Sequence, residues 1–200
     1  MSEIKKNQIT IIDNFLAQDG FYKLSNLVTS TDFPWYKSIT TDDSKESFNV
    51  YDFSWFHMVY QNESVLSPVY SLIHPLLVSA FDYIGEPVNS FLRFRLALQT
   101  TIGQPYVNDA HVDDMKPHKN AILYLANSDG ETIVYNEKYN PDSKMHYRHY
   151  LENVLKNELT VGIAVQPIEN TLLVFNGLHY HSSQRPVSNA DRVILNINYN

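Results

Sequence analysis

Cysteine is absent from the chain. With it go disulfides, thiolate zinc sites and cysteine nucleophiles, although the absence fits any compartment. Long apolar runs are absent too. The N-terminal stretch MSEIKKNQITIIDNFL has two lysines but no apolar core long enough for a signal peptide, and no segment is long enough to span a bilayer. The expectation is a soluble, cytoplasmic protein with no membrane association. Positive charge is in short supply: 15 Lys and Arg against 22 Asp and Glu leave a formal charge of -7. That argues against nucleic acid as a default partner, short of a local basic groove. Repeats and low-complexity segments are missing. What is present is a 44% hydrophobic share over 200 residues, enough for one ordinary domain with a real core.

Residues 8–12, QITII, read as a short strand, with Asp13 placed to cap the next element. Phe15, Leu16, Phe21, Leu24 and Leu27 then recur at roughly helical spacing up to Val28, despite Gly20. A turn at Ser30–Pro34 leads to an aromatic-rich region, and 47–60, SFNVYDFSWFHMVY, reads as strands. His57 within it is read as a packed strand histidine. Ser67-Pro68 starts a second helix, with Ser as N-cap and Pro at the first helical position. Val69, Leu72, Ile73, Leu76, Leu77 and Phe81 form its apolar face, Pro75 is a candidate kink, His74 is read as structural, and Gly85 is the stop.

From Pro87 the pattern becomes strand-like. SFLRFRLALQ at 90–99 alternates apolar residues with Arg93 and Arg95, and further strands are expected at 107–112, 120–126, 131–136, 160–166, 171–176 and 192–198. Helices followed by about eight short strands imply an α+β chain with a sandwich or barrel of antiparallel strands. The insert 137–159 interrupts this rhythm. It is either a substrate loop or a short helix with a polar loop. His146 and His149 within it have helical metal-ligand spacing, or lie on a solvated face.

His111-Val112-Asp113 carries the chemical signal. A strand would place His111 and Asp113 on one face and Asp114 on the other. With a distal histidine, the set supplies two imidazoles and one carboxylate, the facial triad of non-haem Fe(II) oxygenases, which leaves positions free for co-substrate and dioxygen. His179 and His181 share strand parity, so alternation alone leaves both open as the distal histidine. Asp114 and His118 are spare ligand types nearby.

Four pieces in order, HVD at 111–113, AILYLANSDGETIVY at 121–135, PIENTLLVFNGLHYH at 167–181 and PVSNADRVILNIN at 186–198, give the stretch from Leu92 to Asn198 a family look. It resembles the Fe(II)/2-oxoglutarate-dependent oxygenase superfamily, in particular its prolyl 4-hydroxylase-like branch. The resemblance implies a double-stranded β-helix, a jelly-roll or cupin-like barrel, with N-terminal helices packed outside it. It implies a single domain over 1–200, with a helical and strand part to about 86 and a β-helix core from about 87. His111, Asp113 and His181 would be the iron ligands. His181 is preferred over His179 because it stands eleven residues before Arg192 and follows Phe175-Asn176-Gly177 at the family's spacing. Arg192 would pair with the distal carboxylate of 2-oxoglutarate, where a planar guanidinium suits bidentate contact, with Tyr124 as a hydroxyl donor or a core tyrosine. Arg93 and Arg95 are further anion contacts or surface strand positions. Ile194 stands where many relatives have serine, so the second co-substrate contact must come from elsewhere.

The activity so implied is hydroxylation of a small-molecule or peptidyl substrate, coupled to decarboxylation of 2-oxoglutarate with Fe(II) and dioxygen. Family halogenases replace the ligand carboxylate by a small residue, so Asp113 favours hydroxylation or a related oxidation. Substrate contacts are expected from 47–60 and 137–159. The alternatives are a binding protein of the same fold with a decayed metal site, and a cupin-like metalloenzyme that does not use 2-oxoglutarate. Arg192 discriminates against the latter, which needs no dicarboxylate anchor. Oligomeric state is not legible.

Overall fold

The computed structural model describes residues 3–6, 9–39, 53–143, 158–188 and 190–200. In chain order its elements are β1 (Glu3–Lys6), β2 (Ile9–Ile12), α1 (Gln18–Val28), β3 (Tyr36–Ile39), β4 (Phe53–Gln61), β5 (Ser64–Val65) and α2 (Tyr70–Tyr83). There follow β6 (Phe91–Gln99), β7 (Lys119–Tyr124), β8 (Thr132–Lys138), β9 (Val161–Val165), β10 (Leu172–Asn176), β11 (His179–Ser183) and β12 (Arg192–Tyr199). The large sheet runs β1-β2-β10-β7-β12-β6-β4-β3, with β5 beside β4, and the small one runs β11-β8-β9. Every pairing is antiparallel. Because β2 pairs with β10 and β4 with β6, residues before 86 contribute strands to the same sheet as the C-terminal half.

Strand alternation on the large sheet makes two cores. Along β12, buried throughout, Val193, Leu195, Ile197 and Tyr199 face the helices. They pack there with Phe21, Leu24 and Val28 of α1 and Ile73, Leu77 and Phe81 of α2. The opposite face looks toward the small sheet, where Ala97, Ile122, Leu173, Phe175 and Ile194 meet Val134 and Val165. Both helices lie outside the two-sheet core, as the resemblance implied. Leu195 is fully buried. Truncation to Ala would cost about 2–5 kcal/mol.

The second helix begins later than expected, at Tyr70 behind a turn over 67–69, and its N-cap residue Val69 makes no side-chain cap bond; the Ser67 hydroxyl accepts the Val69 amide at 3.3 Å within that turn. Pro75 does not break it, and both Pro75 and Ser71 one turn earlier lie on its exposed side. Gly85, at φ +68°, ends it, and the Glu86 amide reaches back to the Phe81 carbonyl at 3.0 Å. The first helix begins later than expected, at Gln18, without a side-chain cap. Asp13 instead accepts the Thr171 hydroxyl at 3.3 Å. Among the described residues no helix is long and apolar enough to cross a membrane.

The expected strand at 107–112 is not one. It touches the sheet edge through isolated bridges, Val107 to Gln184 and His111 to His181. The Asn108 amide bonds the Ser183 carbonyl and that of His111 bonds His181, so three residue steps on one side oppose two on the other. Such a mismatch breaks a ladder. Strands β1, β3, β5 and β11 were not anticipated. The parts of the expected elements at 47–52 and 144–157, with His146 and His149, lie outside the described residues.

Candidate metal centre and anion pocket

The second face of β12 organises the site. Arg192, Ile194, Asn196 and Asn198 stand opposite Gln99, Ala97, Arg95 and Arg93 of β6. On the other side, Tyr124, Ile122 and Asn120 of β7 stand opposite Ile194, Asn196 and Asn198. One end of this face is therefore cationic and amide-rich, the middle is apolar, and the other end holds Arg192.

At the amide-rich end, donor atoms of His111, Asp113 and His181 all lie within 4.8 Å of one another. His111 is in the irregular 105–118 segment, not on a regular strand. Reciprocal backbone bonds of 3.0 and 2.9 Å with His181 fix it against β11. Nε2 of each histidine is 3.9 Å from an Asp113 carboxylate oxygen, His111 facing Oδ1 and His181 facing Oδ2. Nδ1 of His111 lies 3.1 Å from the Asp109 carbonyl, and Nδ1 of His181 lies 3.3 Å from that of His179. Each Nδ1 must carry the proton to donate there, which leaves the Nε2 lone pairs aimed at the cluster. Burial, reinforced by His111, pushes His181 down to about 3 against the pull of Asp113, so its imidazole is neutral. His181 Nε2 is buried and without a hydrogen-bond partner. A divalent cation of borderline softness fits this donor set and would satisfy that atom.

The structure also separates the two distal candidates. His179 Nδ1 donates to the Tyr135 carbonyl at 2.7 Å, and the residue is not in the cluster. Shared parity fails because the register is irregular: His179 opposes Lys138 while His181 opposes Val134. Asp114 is exposed and caps Lys116 N at 2.9 Å, and the buried His118 ring bonds the Lys116 carbonyl at 2.7 Å. His57 bonds Pro34 O and Ser67 Oγ at 2.8 and 2.7 Å, the packed role expected of it.

Asp113 has a side chain only 2% exposed and is surrounded by donors. Arg93 Nη2 is 2.7 Å from Oδ1, and the amides of Asn120, Asn196 and Asn198 donate to Oδ2 at 2.7, 3.0 and 3.1 Å. Burial alone would raise this carboxyl, but Arg93, His181, Arg95 and His111 together hold it well below the usual carboxylate range. The surface placement considered for Arg93 and Arg95 is thus wrong. Both turn inward because the apolar residues that alternate with them, Phe94 and Leu96, take the helix side. The three asparagines escaped the sequence reading, although Asn196 and Asn198 share parity with Arg192 and were legible on that ground.

At the far end, Arg192 is 2% exposed. Its Nε donates to the Gly130 carbonyl at 2.9 Å, Nη2 to Thr132 Oγ1 at 2.7 Å and Nη1 to Gln99 Oε1 at 3.4 Å. A Cβ at Gly130 would lie 2.7 Å from the Gln184 carbonyl and 3.1 Å from Arg192 Cδ, which explains glycine there. Tyr124 donates its hydroxyl to the same Thr132 oxygen at 2.8 Å. Burial pushes that phenol up to about 12 against the pull of Arg192 and Thr132, so it remains a donor. Burial lowers Arg192 against the pull of Tyr124, and among the described residues no carboxylate pairs with it. Thr132, which Arg192 contacts, opposes Ser183 on β11, and Val134 opposes His181 of the donor cluster.

No protein-family model matches the sequence, and no curated protein does. Solved structures do match. An oxidoreductase of the 2OG-Fe(II) oxygenase family from Burkholderia pseudomallei superposes with a TM-score of 0.65 at 12% identity, over 96% of this chain and 84% of that one. A prolyl hydroxylase from Trichoplax adhaerens, in complex with a hypoxia inducible factor peptide fragment, gives 0.59 at 16%, over 97% and 84%. HygX from Streptomyces hygroscopicus, with nickel and 2-oxoglutarate bound, gives 0.54 at 15%, over 96% and 82%. Two antiparallel sheets with helices outside, and a donor cluster between the sheets, are thus the double-stranded β-helix fold of the 2OG-Fe(II) oxygenases.

Proposed function

We propose that the protein is a non-haem Fe(II) dioxygenase that couples oxidative decarboxylation of 2-oxoglutarate to hydroxylation of a second substrate. The observation that carries this reading is a pairing across the core. An imidazole and carboxylate cluster shares the inner face of the large sheet with a buried guanidinium that, among the described residues, no carboxylate neutralises. A dicarboxylate whose 2-oxo acid end reaches the cluster would bring its other carboxylate to Arg192.

His111, Asp113 and His181 would hold Fe(II), with Nε2 of each histidine and one Asp113 oxygen as donors. The iron would supply positions for a bidentate oxo acid and dioxygen, and with them the oxidation of a C–H bond. Arg192 would receive the far carboxylate on guanidinium N–H groups not already engaged, and Tyr124 would add a hydroxyl. Thr132, which both already contact, is the second polar contact in place of the serine that Ile194 replaces. Ala97, Ile122 and Ile194 line the space between and keep water from it. Asn120, Asn196 and Asn198 keep Asp113 ionised and oriented.

The substrate is a small molecule or a peptidyl residue. The reading also treats 1–200 as one domain and places it in the cytoplasm, where reduced iron and 2-oxoglutarate are at hand. A second reading rests on the bonds that Arg192 makes to Gly130, Thr132 and Gln99. They suit an arginine that only braces the fold, and the chain would then be a cupin-like metalloprotein that does not use 2-oxoglutarate. Anaerobic titration with Fe(II) and then 2-oxoglutarate decides between them. A visible charge-transfer band in the wild type, weakened in Arg192→Met, is expected. Iron binding without a band would establish the second reading, and no metal binding would overturn both.

A further inference from the structure

Two guanidiniums face the Asp113 carboxylate, and only one is bonded to it. Arg93 Nη2 contacts Oδ1 at 2.7 Å and reaches Asn196 Oδ1 at 3.4 Å. Arg95 Nη2 stands 3.8 Å from Oδ1, too far for a hydrogen bond, and its Nε is buried with no partner. Its guanidinium lies on the Phe56 ring, 4.6 Å from the centroid, with the side chain 24% exposed. Phe56 fixes the plane of the fork without neutralising it. A half-buried guanidinium whose Nε has no partner among the described residues is costly unless a ligand completes it.

Charge balance points the same way, and here the inference rests on the function proposed above. A divalent iron is neutralised by Asp113 and by the chelating carboxylate of the co-substrate, and Arg192 by its far carboxylate. Arg93 and Arg95 are left over. They stand opposite Asn198 and Asn196, at the other end of the strand ladder from Arg192, so the co-substrate extends away from them.

We propose that Arg95, backed by Arg93 and oriented by Phe56, binds an anionic group of the substrate, a carboxylate or a phosphate. The substrate is then a small acid, a phosphorylated metabolite or an acidic peptide residue, held with its reacting carbon over the metal cluster. A neutral prolyl side chain leaves this subsite unused. The side-on edge of a guanidinium offers two parallel donors, which suits either oxyanion.

The test is calorimetric titration of the anaerobic Fe(II)- and 2-oxoglutarate-loaded protein with acetate and, separately, inorganic phosphate. Saturable binding of one or both is expected, weakened about tenfold or more in Arg95→Met and partly kept in Arg95→Lys. Whichever anion binds more tightly identifies the group. A charge-transfer band in Arg95→Met, brought to saturation at whatever Fe(II) concentration it needs, shows that the variant folds and is loaded before the anions are added. If the wild type does not load, the proposed function fails by itself. The subsite is then tested in metal-free protein with Arg192→Met as background, so that the other guanidinium cannot take the probe. No saturable binding, or binding that Arg95→Met leaves intact, overturns the proposal.

Discussion

Arg192 and Asn196 stand on the same face of β12, four residues apart, and serve opposite ends of the site. Arg192 donates to Thr132 at 2.7 Å, whereas Asn196 donates to Asp113 at 3.0 Å. Ile194 between them packs in the apolar middle. A single rigid strand thus sets the separation between guanidinium and carboxylate. Substitutions at its two ends have separable effects.

Arg192→Met removes a buried cation that has no counter-ion among the described residues and keeps most of the volume. The ligand-free variant should melt only a little below the wild type, because relief of the buried charge offsets the loss of the donor to the Gly130 carbonyl and Gln99 Oε1. Its 2-oxoglutarate affinity should fall about tenfold to a hundredfold while Fe(II) affinity is retained. Thermal melts with and without 2-oxoglutarate check both halves. A variant that melted well below wild type yet bound 2-oxoglutarate normally would mark Arg192 as purely structural.

Thr132→Val is nearly isosteric and removes one oxygen that both Arg192 and Tyr124 use. Two buried donors lose their acceptor, for a cost of about 1–3 kcal/mol. Tyr124→Phe removes one donor only and should cost less. Urea denaturation of the two variants should rank them in that order.

The metal cluster separates the two histidines on β11. His181→Gln should abolish tight Fe(II) binding, while His179→Gln, whose ring is engaged by the Tyr135 carbonyl, should bind iron near the wild-type level. Asn196→Leu takes one donor from Asp113 and should weaken iron binding about tenfold or more, without abolishing it. Competition against a chelator measures all three.

Glu137 ties the base of the insert. Its Oε2 accepts the Thr160 amide at 2.9 Å and its Oε1 the Thr160 hydroxyl at 2.6 Å. Burial would raise this carboxyl, but the two Thr160 bonds favour its ionised form and hold it below its ordinary value. A depressed folded-state value means that the contribution is complete above the unfolded carboxyl range and is lost as pH falls through the folded value. Hydrogen-exchange protection of the Thr160 amide should therefore persist through the ordinary carboxyl range and drop only as pH falls below it. Glu137→Gln should remove that pH dependence.

Much of this molecule is written in local sequence. Alternation in 90–99 and 192–198 marks two-sided strands, Ser67-Pro68 and Gly85 bracket a helix, and the order His111, Asp113, His181, Arg192 carries the resemblance to the oxygenase fold. These features are legible because each depends on neighbours a few residues away. What tertiary structure alone decides is which side of each strand faces what. Arg93 and Arg95 look like solvent positions until the helices are seen to cover the opposite face. The choice between His179 and His181 needs a register irregularity that depends on β8, more than forty residues earlier. The four donors bonded to Asp113 come from β6, β7 and β12. No periodicity reports such convergence, because sheet pairing joins residues whose separation in sequence is arbitrary.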